Sequence, residues 1–370
     1  MRIKRLDYAL LFIVALFLIL GMSFLATISA PTSLKSFGTT NYYWRHQLVW
    51  GVLPGLALGL IAFLLPLSLI RRLAPILLFL NLVALCMVFL PLLGLRFWGA
   101  NRWLNFGVAV VQPAEFLKLS FILYLASWFK TKSAILSKAK DCFLKIKSVL
   151  IPFIIFLAVI GTILYAQPDL TTLGIIGLTS LVIYFCSGMP KWHFGVLFVL
   201  ALVIIIILGV VAPYRMARIS TFLNPEADPM GGGYQFKQAL IAIGSGGLGG
   251  CGIGFSSQKF GFLPQSMTDS TFAVIGEEMG FIGSLVLISL FLFLLWTGFS
   301  IAKRSKDTFS RLVCVGITSW ILLQGFVNIS AMIGLIPLGG IPLPFISYGG
   351  SHMVSELIAM GIMLNIARKT

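Results

Sequence analysis

What most constrains this chain is a succession of apolar stretches, each about as long as a bilayer is thick. A hydrocarbon core of about 30 Å takes roughly 20 residues of helix. By that measure ten stretches qualify, at about 8–29, 47–69, 73–94, 107–129, 148–166, 170–188, 192–212, 271–298, 311–335 and 343–366. Only 10% of the 370 residues are charged and 59% are hydrophobic, against about 25% charged in an ordinary soluble domain, which leaves little room for a separate soluble unit. The expectation is an all-α polytopic membrane protein: a single domain over residues 1–370, about ten transmembrane helices, and a large extracytoplasmic loop, about 213–270, between the seventh and eighth. The start, MRIKRLDYALLFIVALFLILGM, imitates a secretion signal. Its apolar run of about 20 residues exceeds the usual signal core of about 7 to 15, so it reads as an uncleaved first span.

Charge in the connections supplies an orientation. With the N-terminus inside, eighteen of the 27 Lys and Arg residues fall in cytoplasmic segments, among them Arg71, Arg72, Lys130, Lys132, Lys303, Arg304, Arg368 and Lys369, as the bias of inner loops toward basic residues requires. Both termini are then expected in the cytoplasm, in a multi-pass protein of the cytoplasmic membrane. The net charge of +16 lies in short loops between apolar runs rather than on a soluble face, which argues against a nucleic-acid partner. Carboxylates gather on the other side: Glu115, Asp169, Glu226, Asp228, Asp269, Glu277, Glu278 and Glu356 lie in outward loops or in spans near them. Cys86, Cys142, Cys186, Cys251 and Cys314 show no CxxC and no metal-type spacing, and read as small apolar residues.

Several segments could carry chemistry. In GANRWLNFGVAVVQPAEFLKLSFI, Arg102, Gln112, Glu115 and Lys118 stand in or beside an apolar run. Glu115 and Lys118, three apart, share a helix face. Charges in a span are costly, so the pair is either functional or a neutralised lock within the bundle. In AQPDLTTLG, Asp169 is placed to cap the next helix. In the long loop, Arg215 and Arg218 suit phosphate oxygens, while Lys237 and Lys259 could meet either substrate or lipid headgroups. The glycines of GSGGLGGCGIG fit no nucleotide-binding motif and read as tight backbone turns, and YQFKQALIAI has the spacing of a short amphipathic helix on the membrane surface. In FLPQSMTDSTFAVIGEEMG, Asp269 or a neighbour could cap the eighth span, yet a carboxylate at a helix mouth can also act as a general base. Glu277 and Glu278 follow in the first turns. Finally, Pro337, Pro342 and Pro344 with Gly339, Gly340, Gly349 and Gly350 should interrupt helix where protein or a wet cavity covers the backbone, with Ser347, Ser351, His352 and Glu356 lining that place.

Taken together, GANRWLNFG, QPAEFLK, QPDL, YRMARISTFLNPEADP, GYQ, GSGGLGGCGIGFSSQKFGFLP, TDSTFAVIGEE and GLIPLGGIPLPFISYGGS resemble the SEDS family (shape, elongation, division and sporulation) over nearly the whole chain. GIGFSSQK and FLPLLG look closer to its FtsW branch than to RodA. The resemblance implies a ten-span peptidoglycan glycosyltransferase that polymerises lipid II on the outer membrane face. It implies Asp269 as the essential carboxylate and roles for Arg102, Glu115 and Lys118. The mechanism expected from it is an inverting transfer with Asp269 as base. Gln112, Arg215, Arg218, Lys259, Ser347 and Ser351 would bind substrate, and a divalent cation, Mg2+ or Mn2+, would sit at Asp269 and Glu277, with no nucleotide. Expected partners are lipid II, the nascent glycan strand, a class B penicillin-binding protein and other division or elongation membrane proteins. A lipid II flippase and a noncatalytic division scaffold are the rival readings. The sequence departs from the family's LPExHTDFIF pattern at Gln265, Met267, Ser270 and Thr271, and from QPDLG at Thr171. Any help that a histidine two residues before the aspartate gives in relatives is therefore missing.

Overall fold

Helices overlap all ten of the apolar stretches in the computed structural model, which describes residues 7–97, 100–107, 109–136, 146–190, 192–211, 220–228 and 231–370. They are α1 (Tyr8–Phe37), α2 (Tyr42–Gln47) running through a π turn (Leu48–Val52) into α3 (Leu53–Leu64), α4 (Leu67–Met87) and α5 (Pro113–Leu136). After them come a π turn (Ile146–Leu150), α6 (Ile151–Ala166), α7 (Leu170–Cys186), α8 (Trp192–Val211), α9 (Gly232–Ser245), α10 (Thr271–Arg304), α11 (Thr308–Met332) and α12 (Gly350–Lys369). Among the described residues, seven helical runs are long and apolar enough to cross a bilayer: α1, α2–α3, α4, α6 with its π turn, α10, α11 and α12. The larger number expected from sequence rests on α5, α7 and α8. The amphipathic segment in the long loop is α9, as its spacing predicts.

Two stretches begin later than expected. Before α5 three short strands form an antiparallel sheet, β1 (Gly94–Phe97), β2 (Ala100–Asn105) and β3 (Val110–Val111), in the order β1-β2-β3. The apolar run that reads as the start of a span at 107 is thus a strand edge ending in β-branched valines, which fit extended backbone. Pro113, the first residue of α5, fixes where the helix can begin. Likewise the final helix starts at Gly350, because the prolines and glycines of 333–349 keep that segment out of helix. α11 and α12 form the interior, with most of their residues buried, while α1, α4, α6 and α10 turn most of their surface outward. A Cβ on Gly361 of α12 would lie 2.1 Å from the Gly59 carbonyl of α3, so small residues set the closest helix approach, as is usual where lipid supplies no hydrophobic drive.

α10 is broken at Gly280 (φ 65°, ψ −162°). A break inside a span leaves backbone groups without helical partners, and these must be satisfied internally. The segment after α9 does this. Cys251 N–H donates to Glu277 O and Gly252 N–H to Glu278 O, each at 3.0 Å, while Phe281 and Ile282 N–H donate to Gly247 O at 2.9 Å and Leu248 O at 3.1 Å. The glycine run therefore permits two backbones to touch: a Cβ on Gly250 (φ +80°) would lie 2.1 Å from Glu278 O.

The bundle end remote from the sheet is tied by charge. Asp7 caps α1 and pairs with Arg304 of α10 at 2.6 Å, and Asp307 caps α11 and pairs with Lys130 of α5 at 2.6 Å. Burial works to raise the Asp307 carboxyl, but hydrogen bonds from Lys130 and Ser310 outweigh it and hold the group below its ordinary value.

Two outcomes follow. Gly250→Ala should lower stability by about 1–3 kcal/mol through overpacking, whereas Gly249→Ala, with open space around it, should leave thermal unfolding in detergent unchanged. A depressed carboxyl contributes stability above its unfolded value and loses it as pH falls through the folded one. The melting temperature of the wild type should therefore fall on acidification below the ordinary carboxylate range more steeply than that of Asp307→Asn.

Candidate functional site

At the sheet end of the bundle, three separate segments converge on the turn before α10. Three successive carbonyls of that turn accept hydrogen bonds: Met267 O from Tyr348 N–H at 2.8 Å, Thr268 O from the Ser347 hydroxyl at 2.5 Å, and Asp269 O from the Asn328 amide at 2.8 Å. Gln265 closes the turn from within at a left-handed φ of 53°, its carbonyl accepting from Thr268 and Ser270 N–H. The N-cap position of α10 belongs to Ser270, whose hydroxyl donates to Pro264 O at 3.0 Å and accepts from the Gln235 amide of α9 at 3.0 Å. The cap position thus falls to the neighbour, Ser270, and not to Asp269. Its carboxylate is only partly buried, and a Cβ on Gly340 would stand 3.5 Å from its Oδ2.

The irregular segment 333–349 is held from three sides. Asn328 also donates to Ile341 O at 2.7 Å, and Gln324, one turn earlier on α11, donates to Pro342 O at 3.0 Å. Gln324 Oε1 in turn accepts from Lys118 Nζ at 2.7 Å and Trp320 Nε1 at 2.9 Å. Lys118 pairs with Glu115 at 2.7 Å, and both are nearly fully buried. Two adjacent carbonyls, Ile341 and Pro342, therefore link the Glu115–Lys118 pair to the Asp269 turn. From another side the Thr171 hydroxyl donates to Gly339 O at 2.7 Å, at the first turn of α7 that Asp169 caps by accepting from Thr172 N–H at 3.3 Å. Below the segment, Glu356 accepts from the Phe345 N–H at 2.8 Å, at a residue held in the left-handed region (φ 63°).

Some expected residues take up other roles. Arg102 turns its guanidinium onto the α6–α7 turn, Nε donating to Gln167 O at 3.1 Å and Nη2 to Pro168 O, so it braces the QPD turn. Gln112 donates its backbone N–H to the Ser351 hydroxyl at 2.9 Å, joining α5 to α12. Lys259 does not face the Asp269 turn: it is buried, pairs with Glu278 at 2.9 Å and donates to Gly254 O at 2.5 Å. Glu277 likewise turns back onto its own loop. Its carboxylate accepts from Ser257 N–H and hydroxyl at 3.0 and 2.9 Å, from Gln258 N–H at 3.4 Å and from the Ser256 hydroxyl, and it lies almost two helical turns, or about 9 Å of rise, inside Thr271. Among the described residues no group of three His, Cys, Asp or Glu is placed to hold a metal. Arg215 and Arg218 lie outside the described residues.

Residues 8–370 match the FtsW/RodA/SpoVE family, described as cell cycle protein. The chain belongs to that family. It is 35% identical over 356 residues to the probable peptidoglycan glycosyltransferase FtsW of Coxiella burnetii, covering 95% of this chain and 94% of that one. It is 36% identical over 366 residues to the stage V sporulation protein E of Bacillus subtilis, covering 98% and 97%. A chain solved in work on the structural coordination of polymerization and crosslinking by a peptidoglycan synthase complex shares the fold with a TM-score of 0.75 at 27% identity, covering 98% of each chain. The crystal structure of the rod shape determining protein RodA of Thermus thermophilus shows the same fold at a TM-score of 0.70. In this FtsW/RodA/SpoVE member, Trp320, Gln324 and Asn328 are site residues that the sequence reading passes over. Their spacing of four puts them on one face of an apolar span, and a polar stripe of that kind was the available signal.

Removing one partner of a buried pair strands the other charge at a cost of about 3–5 kcal/mol. Lys118→Met should therefore unfold at a clearly lower temperature in detergent, and the double variant Glu115→Gln with Lys118→Met should recover much of the loss.

Proposed function

We propose that this chain is a peptidoglycan glycosyltransferase of cell division or cell-shape growth, joining lipid II disaccharide units into glycan strands at the outer face of the cytoplasmic membrane. The observation that carries the reading is the Asp269 turn: three consecutive carbonyls pinned by Tyr348, Ser347 and Asn328, with a partly exposed carboxylate at their end. Such tethering fixes a base in position before substrate arrives, which is what general-base catalysis requires. Asp269 takes the proton from an acceptor sugar hydroxyl as its oxygen attacks the donor's anomeric carbon, and the bond to the polyprenyl pyrophosphate breaks with the electron pair leaving on phosphate oxygen. Without a histidine at position 267, the carboxylate acts with no neighbouring imidazole in its own turn.

The pyrophosphate that departs needs positive charge, for which Arg215 and Arg218 in the long loop are the chain's own candidates. The residues present fit only a sparse metal site, with Asp269 as one carboxylate and the remaining positions filled by substrate phosphates and water, the habit of Mg2+. Bound there, Mg2+ or Mn2+ would supply neutralisation of the leaving group. A class B penicillin-binding protein as partner accords with the likeness to a chain of a peptidoglycan synthase complex, and other division or elongation membrane proteins would assemble around the pair. Basic residues at Arg304, Lys130 and Arg368 lie toward the end remote from Asp269, which supports cytoplasmic termini. The flippase reading needs Glu115 and Lys118 open to a headgroup, whereas they are buried against Gln324 and each other.

Purified protein with labelled lipid II, with and without a class B penicillin-binding protein, tests the proposal. Asp269→Asn should reduce polymer by about 10^2-fold or more with unfolding temperature unchanged. Undiminished polymer from the variant removes Asp269 from the role, and no polymer from the wild type under either condition favours the scaffold.

A further inference from the structure

The segment between α9 and the Asp269 turn has an outer surface that the proposed chemistry does not use. Across residues 246–262 the large apolar side chains point outward: Leu248 is 73% exposed, Ile253 60%, Phe255 78%, Phe260 65% and Phe262 56%. Five such residues in a loop facing water would be an aggregation liability. Of the segment's polar side chains, the charged one and both serines are turned to partners inside the protein, which leaves the half-buried Gln258 amide. Lys259, its only charged residue, is buried against Glu278. The Ser256 and Ser257 hydroxyls are spent on Glu277. In its backbone, the carbonyls of Gly247 and Leu248 and the N–H groups of Cys251 and Gly252 are paired with the break in α10.

Depth locates this surface. The Asp7–Arg304 ion pair marks one boundary of the membrane on both α1 and α10. Measured from it, Thr27 of α1, which lies against Gly254, is about 30 Å along the helix, and Gly280 of α10 is about 36 Å along. A hydrocarbon core is about 30 Å thick, so the segment sits at the opposite boundary, between α1 and α10. Its apolar side chains also continue a surface already turned outward on a span, since Leu248 is hydrogen-bonded through its carbonyl to Ile282, and Phe281, Ile282, Leu285 and Val286 are all exposed.

We propose that residues 248–262 form an in-plane membrane anchor, inserting Leu248, Ile253, Phe255, Phe260 and Phe262 into the acyl-chain boundary on the face of the membrane that carries the site. The burial of charge and the internal pairing of backbone are what a non-helical segment needs in order to enter hydrocarbon. The anchor also sets the height of the α10 break, and through it the level at which the turn of Asp269 stands above the lipid.

The test uses the unmodified chain in phosphatidylcholine vesicles containing a phosphatidylcholine with a diazirine on one acyl chain, photolysed and mapped by mass spectrometry. Carbene insertion on residues 253–262 is expected at the level found on residues 281–286, and Phe255→Ser with Phe260→Ser should lose it. A water-soluble diazirine applied in parallel should leave the segment unlabelled. Labelling by the water-soluble reagent alone places the loop in water and overturns the proposal. Absence of labelling by both reagents shows that protein covers the surface, a second copy or another chain, and overturns it equally.

Discussion

The structure around Asp269 depends on how a stretch of chain without helix is satisfied inside an apolar bundle. Residues 333–349 make few of the hydrogen bonds that a helix makes to itself, and each unpaired carbonyl in such surroundings would cost a few kcal/mol. Gln324 and Asn328 answer that need from α11, one turn apart, by donating to the neighbouring carbonyls of Pro342 and Ile341. Once those two amides are fixed, their other contacts follow. Gln324 takes the Lys118 ammonium, Asn328 takes the carbonyl of Asp269, and the buried pair and the residue bearing the partly buried carboxylate become parts of one network.

The sequence showed much of this molecule because hydropathy is a strong signal. Apolar runs of bilayer length located the helices, the proline and glycine density of 333–349 forecast an interruption covered by protein, and YQFKQALIAI forecast α9. What stayed hidden was set by tertiary contact. The strand at Val110–Val111 is as apolar as a helix, so only the nearby Pro113 hinted at where helix begins. Lys259 and Glu277 looked available for substrate or metal because spacing cannot say which side chains fold back on their own loop. Each is instead consumed locally, by Glu278 and by the Ser256–Gln258 backbone and hydroxyls. Arg102 stands out in the sequence by its place in GANRW, but its partners are two carbonyls 65 and 66 residues away, which no local pattern encodes.

The two ends of the bundle use different physics. At the end marked by Asp7 and Asp307, helices are joined by ion pairs that are partly exposed, whose contribution is modest and screened by salt. At the site end the joints are amides and hydroxyls on carbonyls, together with two deeply buried ion pairs, Glu115–Lys118 and Lys259–Glu278. Neutral bonds of this kind carry no long-range field, so they position Asp269 without presetting the charge that a pyrophosphate would meet there.

The turn before α10 is gripped through its main chain. Tyr348, Ser347 and Asn328 bond to the carbonyls of Met267, Thr268 and Asp269, and none of the three contacts reads the side chain it holds. The grip of these three contacts is therefore insulated from the spelling of positions 267–269. A methionine can stand at 267 where the family pattern has histidine, because the grip on that residue is on its carbonyl, whereas Ser270 adds hydroxyl bonds of its own to Pro264 O and the Gln235 amide. Drift in this part of the chain can retune the chemistry around the carboxylate while the scaffold that presents it stays unchanged.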